Sequence, residues 1–561
     1  MTTTTDPTLL SVQQRSAVAS DDSWGAGNML LVAIAANPHP ELPVVRLARP
    51  LAGSDGRPLR ELSLLDLNAL AESWSVWYLE QGVKPRDRVA IQIEDSFAYS
   101  IHYYALSAIG AIGVLINSRA PGAVANSLCR RTEPVGIYID SERLERLRAQ
   151  DDCALRDMRW IQSADELPAP PPATLPEHQR YRHAPGDPVS IMHSSGTTGT
   201  PKPVIQTHRS GVAGPRWRMA ADTIAPGERF LTSMPQSHIG AISFSSYALL
   251  CGMQIIAMYD PGPEELLAAV QEHQPTSVMC FGHAYSDLAG IEIEAGTVDC
   301  VNTWISAADA VHEPHIRTLL GQRSADRPPS KFFDRLGSTE LGWALLLHVS
   351  TLESGPKGRC IGRSTGAGEV VVLREDGTET DPHELGLLGA RGPMITVGYW
   401  NDCDLSYRSR LGEYWLTGDV AYRDEDGLFY QLDRAVDTIH TASGAGHSVL
   451  MEEVLLGSVS EICDCGVVAG TWGGDTVAVA LVRAARADDV NAEWLREAAN
   501  DALRAAGHPE LALLEVARDD ADYPLGVTGK VLKRVLRERY GDLERYVAGG
   551  ADRSLSAAAP A

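Results

Sequence analysis

Ser194-Ser195-Gly196-Thr197-Thr198-Gly199-Thr200-Pro201-Lys202-Pro203, SSGTTGTPKP, is the most informative segment of this 561-residue chain. Its successive Ser, Thr and Gly residues offer hydroxyl and backbone N–H donors in a tight curve, and such a concavity binds anions. Lys202 adds a mobile positive charge. The segment is not a Walker loop, because that pattern needs Gly directly before the Lys and Ser or Thr after it. We therefore expect a phosphate site of another kind; an ordinary Ser/Thr/Gly surface loop is the alternative.

Length and charge set limits around this segment. A hydrophobic core stops growing at about 250–300 residues, so a chain of 561 residues is expected to form two or more domains. The composition, 44% hydrophobic and 22% charged, is that of a globular protein. The formal net charge of -24 repels nucleic acid and anionic lipid, so neither is an expected partner. A small anionic ligand is still allowed, because local donors decide a pocket.

The cysteines and the chain start bear on the compartment. Nine cysteines are scattered without a C-x-x-C pair, and the closest two, Cys463 and Cys465, are too close together for the common zinc patterns. This usage is typical of reduced, buried thiols in a cytosolic protein. The start, MTTTTDPTLL, lacks the basic end of a signal peptide, and the apolar run at 247–258 is too short to span a bilayer. We expect a cytoplasmic protein with no membrane partner.

Strands and helices are predicted to alternate from Arg88 onward. Short apolar strand candidates lie at 88–93, 113–116, 135–139 and 189–192, and 97–108 has helical spacing. The strand at 189–192 ends directly in the Ser/Thr/Gly segment. Such alternation favours parallel α/β units. Residues 366–431 have more strand character, with turn signals at Glu375-Asp376-Gly377 and Glu425-Asp426-Gly427.

The character of the chain changes after Arg434. Strand candidates at 466–468 and 477–482 and helical segments at 491–505 and 530–541 predict a small α+β unit. The predicted fold is therefore α/β: a large N-terminal domain of mixed parallel sheets and helices with a β-rich subdomain, followed by a small α+β C-terminal domain. We place the large domain at 1–433, a hinge at 434–437, the small domain at 438–545 and a disordered tail at 546–561.

Six short motifs, in this order, resemble those of the adenylate-forming superfamily, which includes acyl-CoA synthetases, peptide-synthetase adenylation domains and luciferases. SSGTTGTPK is similar to its phosphate loop almost letter for letter. The others are Met234-Pro235-Gln236-Ser237-His238, Gly337-Ser338-Thr339-Glu340, Gly398-Tyr399-Trp400, Trp415-Leu416-Thr417-Gly418-Asp419 and Pro524-Leu525-Gly526-Val527-Thr528-Gly529-Lys530. Each motif alone is weak, but together they indicate membership of the superfamily.

The resemblance implies two half-reactions. A carboxylate attacks the α-phosphate of ATP to give acyl-AMP and pyrophosphate, and a thiol then displaces AMP. Lys530 is expected to bridge the carboxylate and the α-phosphate, and Glu340 to bind Mg2+ through a carboxylate oxygen. A solvated lysine at a helix start and a capping carboxylate are the alternatives. The implied catalytic residues are Lys530, His238, Thr198 and Glu340.

The resemblance also implies a nucleotide site. Thr339 and Thr198 would donate to phosphate oxygens, and Asp419 would accept from the ribose hydroxyls, a turn-capping Asp being the alternative. Arg434 would add a ribose or phosphate contact. The implied nucleotide-binding residues are Ser194, Ser195, Gly196, Thr197, Thr198, Gly199, Lys202, Gly337, Ser338, Thr339, Asp419 and Arg434.

An acyl pocket is implied beside the nucleotide. Its residues would be His238, Ile239, Gly240, Gly282, His283, Ala307 and Leu336. His238 would gate the pocket, with a plain core histidine as the alternative. No Asp or Arg stands out there as a partner for a substrate's ammonium or second carboxylate. We therefore expect an apolar, roomy pocket for a bulky carboxylic acid.

The chain departs from the family around the nucleotide. Pro203 follows the loop lysine where the family has Gly, which removes a backbone N–H and fixes φ. Leu336 precedes the Gly-Ser-Thr-Glu motif where the family has an aromatic that stacks on adenine. The segment 306–310, Ser-Ala-Ala-Asp-Ala, replaces a segment similar to Ser-Gly-Gly-Ala.

A further departure is at the hinge. In the family the small domain is mobile and rotates after adenylation, so hinge residues set the balance between two poses. Here Val436 takes a polar hinge position beside Asp437, and the loop that follows is longer than in the family. The CoA-facing residues of that loop would be Ser443, Gly444, Gly446 and His447. Our hypothesis is that the enzyme favours the thioester-forming pose and takes an acyl-adenylate made by an upstream enzyme.

The predicted function is an acyl-CoA ligase that uses ATP or acyl-AMP, CoA and Mg2+ on a bulky apolar carboxylic acid. A composition rich in Ala, Arg, Asp and Gly suggests an actinobacterial-style secondary-metabolite pathway. The alternatives are a stand-alone adenylation enzyme that loads a carrier protein and a non-catalytic acyl- or adenylate-binding regulator. Lys530 and Glu340 are both present, which favours an enzyme over a regulator.

Overall fold

The computed structural model describes residues 7–194, 201–221, 224–225, 227–307, 311–355, 358–434, 436–484, 491–518, 522–525, 531–549 and 555–557. Within these ranges, no helix combines the length and the apolar character needed to cross a bilayer. Predicted site residues 195–199 and Lys530 lie outside the described residues.

The strands, in chain order, are β1 (Pro43–Ala52), β2 (Pro58–Ser63), β3 (Arg88–Gln92), β4 (Ile112–Leu115), β5 (Gly136–Ile139), β6 (Trp160–Ser163), β7 (Pro188–His193), β8 (Pro203–Thr207), β9 (Arg229–Thr232), β10 (Gln254–Ala257), β11 (Ser277–Phe281), β12 (Thr303–Ala307), β13 (Lys331–Gly337), β14 (Ala344–Ser350), β15 (Cys360–Ser364), β16 (Glu369–Leu373), β17 (Gly386–Arg391), β18 (Arg410–Leu411), β19 (Tyr414–Arg423), β20 (Phe429–Arg434), β21 (Thr438–Thr441), β22 (Gly444–His447), β23 (Ile462–Trp472), β24 (Asp475–Ala484), β25 (Leu511–Val516) and β26 (Leu555–Ala557).

The α-helices are α1 (Val12–Ser20), α2 (Met29–Ala36), α3 (Leu64–Glu80), α4 (Ala98–Ala108), α5 (Gly122–Thr132), α6 (Ser141–Arg148), α7 (Ser210–Ala221), α8 (Ile239–Cys251), α9 (Pro263–His273), α10 (Gly282–Ala289), α11 (Glu313–Gly321), α12 (Cys403–Arg408), α13 (Ser448–Ser458), α14 (Ala492–Ala505), α15 (Lys533–Arg539) and α16 (Leu543–Gly549).

Helix starts follow ordinary capping chemistry. Ser63 and Asp66 form a reciprocal capping box at the start of α3, which satisfies two backbone donors that the helix cannot pair itself. Asn491 accepts from two backbone N–H groups at the start of α14. Pro263 occupies the first turn of α9, where its fixed φ suits a helix and no N–H is needed.

A six-stranded sheet contains the first α/β units. Its order is β6-β5-β3-β4-β7-β8, and every neighbouring pair is parallel except β7 and β8. Strands β4 and β5 are buried along their whole length, as expected for a parallel sheet covered on both faces. Because β7 ends at His193 and β8 begins at Pro203, this hairpin brackets the Ser/Thr/Gly segment.

A fourteen-stranded sheet forms the rest of the large region. Its order is β16-β17-β19-β20-β15-β14-β13-β12-β11-β9-β10-β1-β2, with β18 beside β19. Strands β9, β11, β12 and β13 are mutually parallel, so their carboxyl ends meet at one edge. Ligands of open α/β sheets bind at such an edge. The segments that leave it include 234–238 after β9 and 338–340 after β13.

The C-terminal region has its own sheet and core. Strands β23, β24, β25 and β26 pair in that order, and β21 with β22 forms a separate hairpin. A cluster that includes Ile439, Met451, Leu455, Val467 and Leu495 is buried there. The boundaries at 433 and 438 and the hinge between them stay predictions.

The predicted mixed α/β fold is confirmed. The strands expected at 88–93, 113–116, 135–139 and 189–192 correspond to β3, β4, β5 and β7 within one residue or two. The tail prediction needs a correction at 546–549 and 555–557, because α16 extends to Gly549 and β26 pairs with β25. Tyr546 and Val547 pack on a buried cluster around Tyr540, and this apolar contact explains why the helix continues.

Candidate active site

The main cavity lies at the edge where the parallel strands of the large sheet end. It has a volume of about 380 Å³. Six of the residues predicted to bind the nucleotide line it: Ser194, Lys202, Gly337, Ser338, Thr339 and Arg434. Three of the residues predicted for the acyl pocket also line it: His238, Ile239 and Gly240. One continuous space therefore contacts both predicted groups of residues.

The two ends of the Ser/Thr/Gly segment are held together. The backbone N–H of Lys202 donates to Ser194 Oγ at 3.0 Å, and the backbone N–H of Ser194 donates to the Lys202 carbonyl at 3.1 Å. The Lys202 ammonium lies 5.4 Å from the centre of the Tyr399 ring, a cation–π distance. The predicted phosphate donors Ser195, Gly196, Thr197, Thr198 and Gly199 lie between these anchors and outside the described residues.

The turn after β13 brings three polar side chains to the main cavity. Ser338 Oγ accepts from the Leu341 backbone N–H at 3.2 Å, and Thr339 Oγ1 donates to the His193 carbonyl at 3.4 Å. Tyr399 donates its hydroxyl hydrogen to Glu340 Oε1 at 3.1 Å. Burial, followed by the charge of Glu340, raises the pKa of Tyr399, so its hydroxyl remains a donor.

Glu340 suits the predicted Mg2+. Among the described residues there is no group of three or more His, Cys, Asp or Glu side chains that could hold a metal alone. Mg2+ usually keeps several waters and takes one or two carboxylates together with substrate phosphates, so a single carboxylate beside a phosphate site is sufficient. Glu340 would supply that carboxylate.

Asp419 and Arg434 form one fixed unit on paired strands. Arg434 Nε lies 3.0 Å from Asp419 Oδ1, and Gln431 Nε2 donates to the same oxygen at 2.9 Å. Asp419 is buried, and its other oxygen is the acceptor that a ribose hydroxyl would use. Arg434 also donates to the Thr417 carbonyl at 3.0 Å, which fixes the orientation of its guanidinium.

The substrate end of the main cavity is aromatic. Phe244 and Trp343 stack with their ring centres 4.5 Å apart and their planes at 11°. Gly214 on α7 permits this arrangement, because a Cβ there would lie 2.5 Å from a Trp343 ring carbon. His238 caps α8 by accepting from the Gly240 backbone N–H at 3.1 Å, and its ring and that of Phe281 pack edge to face. His238 thus has a structural role besides its predicted gating role.

Arg335 corrects the prediction of an apolar pocket without an arginine. Its side chain is buried, lines the main cavity, and places its guanidinium 5.1 Å from the centre of Phe244 and 5.5 Å from that of Phe333. The sequence contained one usable signal. Arg335 is two positions before Gly337 on a strand, so the two face the same side. Phe244 and Trp343 carried no comparable signal, since only the fold brings α8 beside the turn after β13.

A second cavity, of about 220 Å³, adjoins the main one. It is lined by Leu336, Gly282 and His283, which were predicted for the acyl pocket, and by Asp419. Leu336 lies on β13, and Gly282 and His283 follow β11; their part in an acyl pocket stays a prediction. Ala307 ends β12, and its side chain lies outside the described residues.

Residues of the C-terminal region complete the second cavity. Val531 and Lys533, the described residues nearest in sequence to Lys530, line it together with Glu452 and Asp433. The Lys533 ammonium lies 3.0 Å from Glu452 Oε1 and bonds Ser448 Oγ. Burial raises the pKa of Asp433 to about 7. The C-terminal region thus approaches Asp419 and Arg434 through Val531 and Lys533.

A polar contact joins the two regions beside this cavity. Glu453 on α13 pairs with His312 Nδ1 at 3.0 Å and with Arg359 Nη1 at 3.2 Å. Burial opposes protonation of His312. The hydrogen bond and negative charge of Glu453, together with the charges of Glu452 and Asp464, outweigh burial and raise the pKa of His312.

The predicted hinge and CoA-facing loop have different surroundings. Val436 is exposed and lines the main cavity, whereas Asp437 is buried and forms an ion pair with Arg537. The loop predicted to be long is the β21–β22 hairpin, with Ser443 and Gly444 exposed at its turn. Gly446 and His447 lie on β22, and a Cβ at Gly446 would lie 2.9 Å from Met451 Sδ. The hairpin packs on the C-terminal region's own sheet and helix.

Comparisons with known proteins agree with these features. The family model described as AMP-binding enzyme matches residues 33–400. A 3-aminoavenalumate diazotase from a Streptomyces species is 35% identical over 96% of this chain and all of its own length. The long-chain-fatty-acid–CoA ligase FadD13 of Mycobacterium tuberculosis is 25% identical over 85% of this chain and 93% of its own.

The fold is shared with a solved ligase structure. The O-succinylbenzoate coenzyme A synthetase of Bacillus subtilis, in complex with AMP, superposes with a TM-score of 0.75 at 18% identity, covering 91% of this chain and 98% of that one. At this identity the likeness concerns the fold alone. The family model and the full-length relative carry the assignment: this chain belongs to the AMP-binding enzymes of the adenylate-forming superfamily, as its ordered motifs indicated.

Proposed function

We propose that this adenylate-forming enzyme activates a small acid with ATP and transfers the activated group to an acceptor, as an acid–thiol ligase does. One observation carries the proposal: a single cavity contacts Lys202, Thr339 and Glu340 at one end and the Phe244–Trp343 stack at the other. A substrate anion held where the two ends of the cavity meet would lie beside the phosphates of the nucleotide. Such positioning and charge neutralisation are what phosphoryl chemistry requires of a protein.

In the first half-reaction a carboxylate oxygen attacks the α-phosphorus of ATP. The new P–O bond forms while the bond to the β-phosphate oxygen breaks, and pyrophosphate leaves. Lys202 and, by resemblance, Lys530 reduce the repulsion between the two anions, and Asp419 with Arg434 fixes the ribose. Mg2+, bound to Glu340, would neutralise phosphate charge. In the second half-reaction the thiolate of CoA attacks the acyl carbon, and AMP leaves.

The acid we propose is a compact aromatic one. The Phe244–Trp343 pair occupies much of the substrate end, and aromatic rings favour stacked or edge contacts with another ring. Because buried Arg335 lines the main cavity, the cavity lacks the uniformly apolar surface that a bulky aliphatic acid would need. We therefore replace the bulky apolar acid of the sequence prediction with an aromatic acid that carries a polar group.

Use of ATP is the next part of the proposal. Val531 and Lys533, which follow Lys530 in the chain, line the cavity that Asp419 and Leu336 also line. This supports an arrangement suited to adenylation. The competing hypothesis, that the enzyme receives an acyl-adenylate from an upstream enzyme, stays a prediction based on Pro203, Leu336 and the hinge.

Two assays separate these hypotheses. Aromatic acid plus ATP tests adenylation through release of pyrophosphate, and synthetic acyl-AMP plus CoA tests thioester formation. Release of pyrophosphate at a rate equal to or above that of thioester formation would support ATP use. Thioester formation without pyrophosphate release would support an impaired first half-reaction. A phosphopantetheinyl carrier protein replaces CoA in a parallel reaction to identify the acceptor, and ligand binding without turnover would favour a regulator.

A second candidate function is diazotisation of an aromatic amine. Two observations favour it: the 35% identical relative that matches along its full length is a diazotase, and Arg335 offers an anchor for an acid that reacts elsewhere. Diazotisation would use the same displacement of pyrophosphate at the α-phosphorus of ATP. A nitrite oxygen attacks the α-phosphorus of ATP and pyrophosphate leaves, which gives nitrosyl-AMP.

The remaining steps need no external oxidant. The amine nitrogen attacks the nitroso nitrogen, an N–N bond forms, the N–O bond to AMP breaks, and the amine loses a proton. Protonation and loss of one water from the tautomeric diazohydroxide leave the diazonium ion. The test supplies an aminoarene carboxylic acid, ATP and either CoA or nitrite. A thioester formed with CoA supports the ligase; an azo dye formed with a coupling reagent, in nitrite and ATP only, supports the diazotase.

A further inference from the structure

Arg335 is the one described arginine that lines both the main cavity and the second cavity while lying against two aromatic rings. We propose that Arg335 binds the carboxylate of an aromatic substrate whose reacting group is a different substituent of the ring. This inference rests on the second candidate function, because there the substrate reacts through its amine and its carboxylate is left to bind the protein. It names the substrate class as aminoarene carboxylic acids.

The chemistry of the side chain supports an anion ligand. A guanidinium is always charged, presents a planar set of N–H donors, and matches a carboxylate with two parallel hydrogen bonds. The ring centres of Phe244 and Phe333 lie 5.1 and 5.5 Å from this guanidinium, so the two rings fix its plane.

The position on β13 determines which ligand Arg335 meets. Side chains alternate along a strand, so Phe333, Arg335 and Gly337 share one face, and Asp334 and Leu336 share the other. Arg335 and Gly337 line both cavities, whereas Leu336 lines the second alone. The guanidinium of Arg335 lies on the ring of Phe244, which lines the main cavity, so Arg335 reaches the aromatic end of that cavity. The nucleotide has a separate arginine, Arg434, which is held by Asp419 and the Thr417 carbonyl.

A carboxylate bound to Arg335 is not placed for adenylation. The phosphate end is defined by Lys202, which lies on Tyr399, and by Glu340, which accepts from the same tyrosine. The rings that contact Arg335 belong instead to α8 and to the middle of β13. A flat ring between these ends would have its carboxylate at Arg335 and a second substituent of the ring toward the phosphates. An amino group in that place is poised to attack an activated group on AMP.

The experiment measures binding, so it does not require turnover. The probes are 3-aminobenzoate and its neutral isostere 3-aminobenzamide, titrated calorimetrically into the AMP-bound full-length protein. The wild type is expected to prefer the acid by about 100-fold, as loss of one partner from a desolvated charge pair implies. Arg335→Met should bind both probes with equal, weak affinity. Arg335→Lys, which keeps the charge but not the planar donor set, should keep a reduced preference.

A matched variant controls for loss of an arginine packed on a ring. Arg216 lies 4.3 Å from the Trp24 ring centre and away from both cavities, so Arg216→Met should leave the preference for the acid unchanged. If Arg335→Met does not fold, Arg335→Lys and Arg335→Gln provide the comparison. Absence of a preference in the wild type, or an undiminished preference in the Arg335 variants, would overturn the assignment.

Failure of the proposed function gives a different result. If the wild type binds the acid through Arg335 but releases no pyrophosphate with either CoA or nitrite as co-substrate, the activity proposal fails and the anchor stands. If the wild type releases pyrophosphate and the Arg335 variants bind the acid as the wild type does, the activity stands and the anchor is wrong.

Discussion

Arg335 and Leu336 are neighbours in the sequence but lie on opposite faces of β13. Arg335 contacts two aromatic rings at the substrate end, and Leu336 lines the second cavity beside Asp419. The resemblance places adenine near Leu336, where an aliphatic side chain cannot stack on a purine. Substitutions at these two positions should therefore affect the substrate and the nucleotide separately.

Leu336→Tyr is expected to lower the KM for ATP. An aromatic pair adds about 0.5–1.5 kcal/mol beyond burial, which is about two- to tenfold in affinity. Steady-state pyrophosphate release at varied ATP measures the change, and Leu336→Met controls for altered size without a ring. An unchanged or higher KM for ATP in Leu336→Tyr would mean that adenine does not lie against this position.

Glu340→Gln is expected to raise the Mg2+ concentration needed for half-maximal pyrophosphate release by at least about tenfold, because an amide is a weaker ligand than a carboxylate. Tyr399→Phe removes the hydrogen bond to Glu340 but keeps the carboxylate, so its Mg2+ requirement should change less. Titration of Mg2+ at saturating ATP compares the three proteins. Equal Mg2+ requirements would exclude Glu340 as a metal ligand.

At the scale of elements, α7 and the turn after β13 together shape the substrate end. Gly214 on α7 lets Trp343 pack at van der Waals distance and stack on Phe244 of α8. These elements are far apart in sequence, and the pocket exists only because the sheet brings them together. The shape of the pocket therefore depends on the absence of a side chain at Gly214, which lies on a helix that contributes no polar group to the pocket.

Gly214→Ala should weaken binding of an aromatic acid and destabilise the protein by about 1–3 kcal/mol, since the added methyl overlaps the Trp343 ring. Gly186→Ala is the control, because a Cβ there has no heavy atom within 4 Å. Calorimetric titration with 3-aminobenzoate and thermal unfolding measure both effects. Unchanged binding in Gly214→Ala would show that Trp343 does not form the substrate end.

The sequence predicts some of these elements and not others. Short apolar runs bounded by turn residues, such as 135–139, identify buried parallel strands. A strand that is covered on both faces needs apolar side chains on both faces. The β21–β22 hairpin was predicted only as a long loop, since Thr441-Ala442-Ser443-Gly444 has turn chemistry and its flanks lack strong alternation. Its pairing is set by packing on the C-terminal sheet.

The candidate site likewise contains some residues that the sequence predicts and others that it does not. Motif residues such as Glu340 and Asp419 were identified because the resemblance fixes them by order in the chain. Phe244, Trp343 and Tyr399 contribute packing and hydrogen bonds whose partners lie on other elements, so no local pattern indicates them. Leu336 lines the second cavity and not the main one, and the sequence does not indicate this because the surroundings of β13 depend on the neighbouring elements.

At the scale of the whole molecule, the pairing of His312 and Arg359 with Glu453 joins the large region to the C-terminal region. The contact adjoins the cavity lined by Val531 and Lys533. Any movement of the C-terminal region between two half-reactions has to break these ion pairs. Their strength would therefore contribute to the balance between the two predicted poses, and one partner is a titratable histidine.

The His312 contact predicts a pH dependence. The folded state raises the pKa of His312, so its contribution is complete below the unfolded value of about 6.5 and is lost as pH rises through the folded value. His312→Gln should therefore destabilise the protein relative to the wild type at pH 6, by about 1–2 kcal/mol, and much less at pH 9. Thermal unfolding at both pH values measures the difference.

Exposed His178 supplies the control for this measurement, and His178→Gln should show no such pH-dependent difference. A His312→Gln effect of equal size at pH 6 and pH 9 would contradict a charged His312–Glu453 pair. In that case shape and neutral hydrogen bonding, rather than protonation, would account for the contact between the regions.

The wall between the two cavities has a thermodynamic consequence. Arg335, Gly337, Ser338, Thr417 and Arg434 line both spaces, so with nucleotide and acid bound as proposed each ligand would contact side chains that the other ligand also orders. Binding at the two cavities is then linked, and by reciprocity the factor by which AMP changes affinity for the acid equals the factor by which the acid changes affinity for AMP. If each ligand raises the affinity for the other, the apparent affinity for the aromatic acid increases with the concentration of nucleotide. The enzyme then binds its acid substrate mainly after a nucleotide has bound.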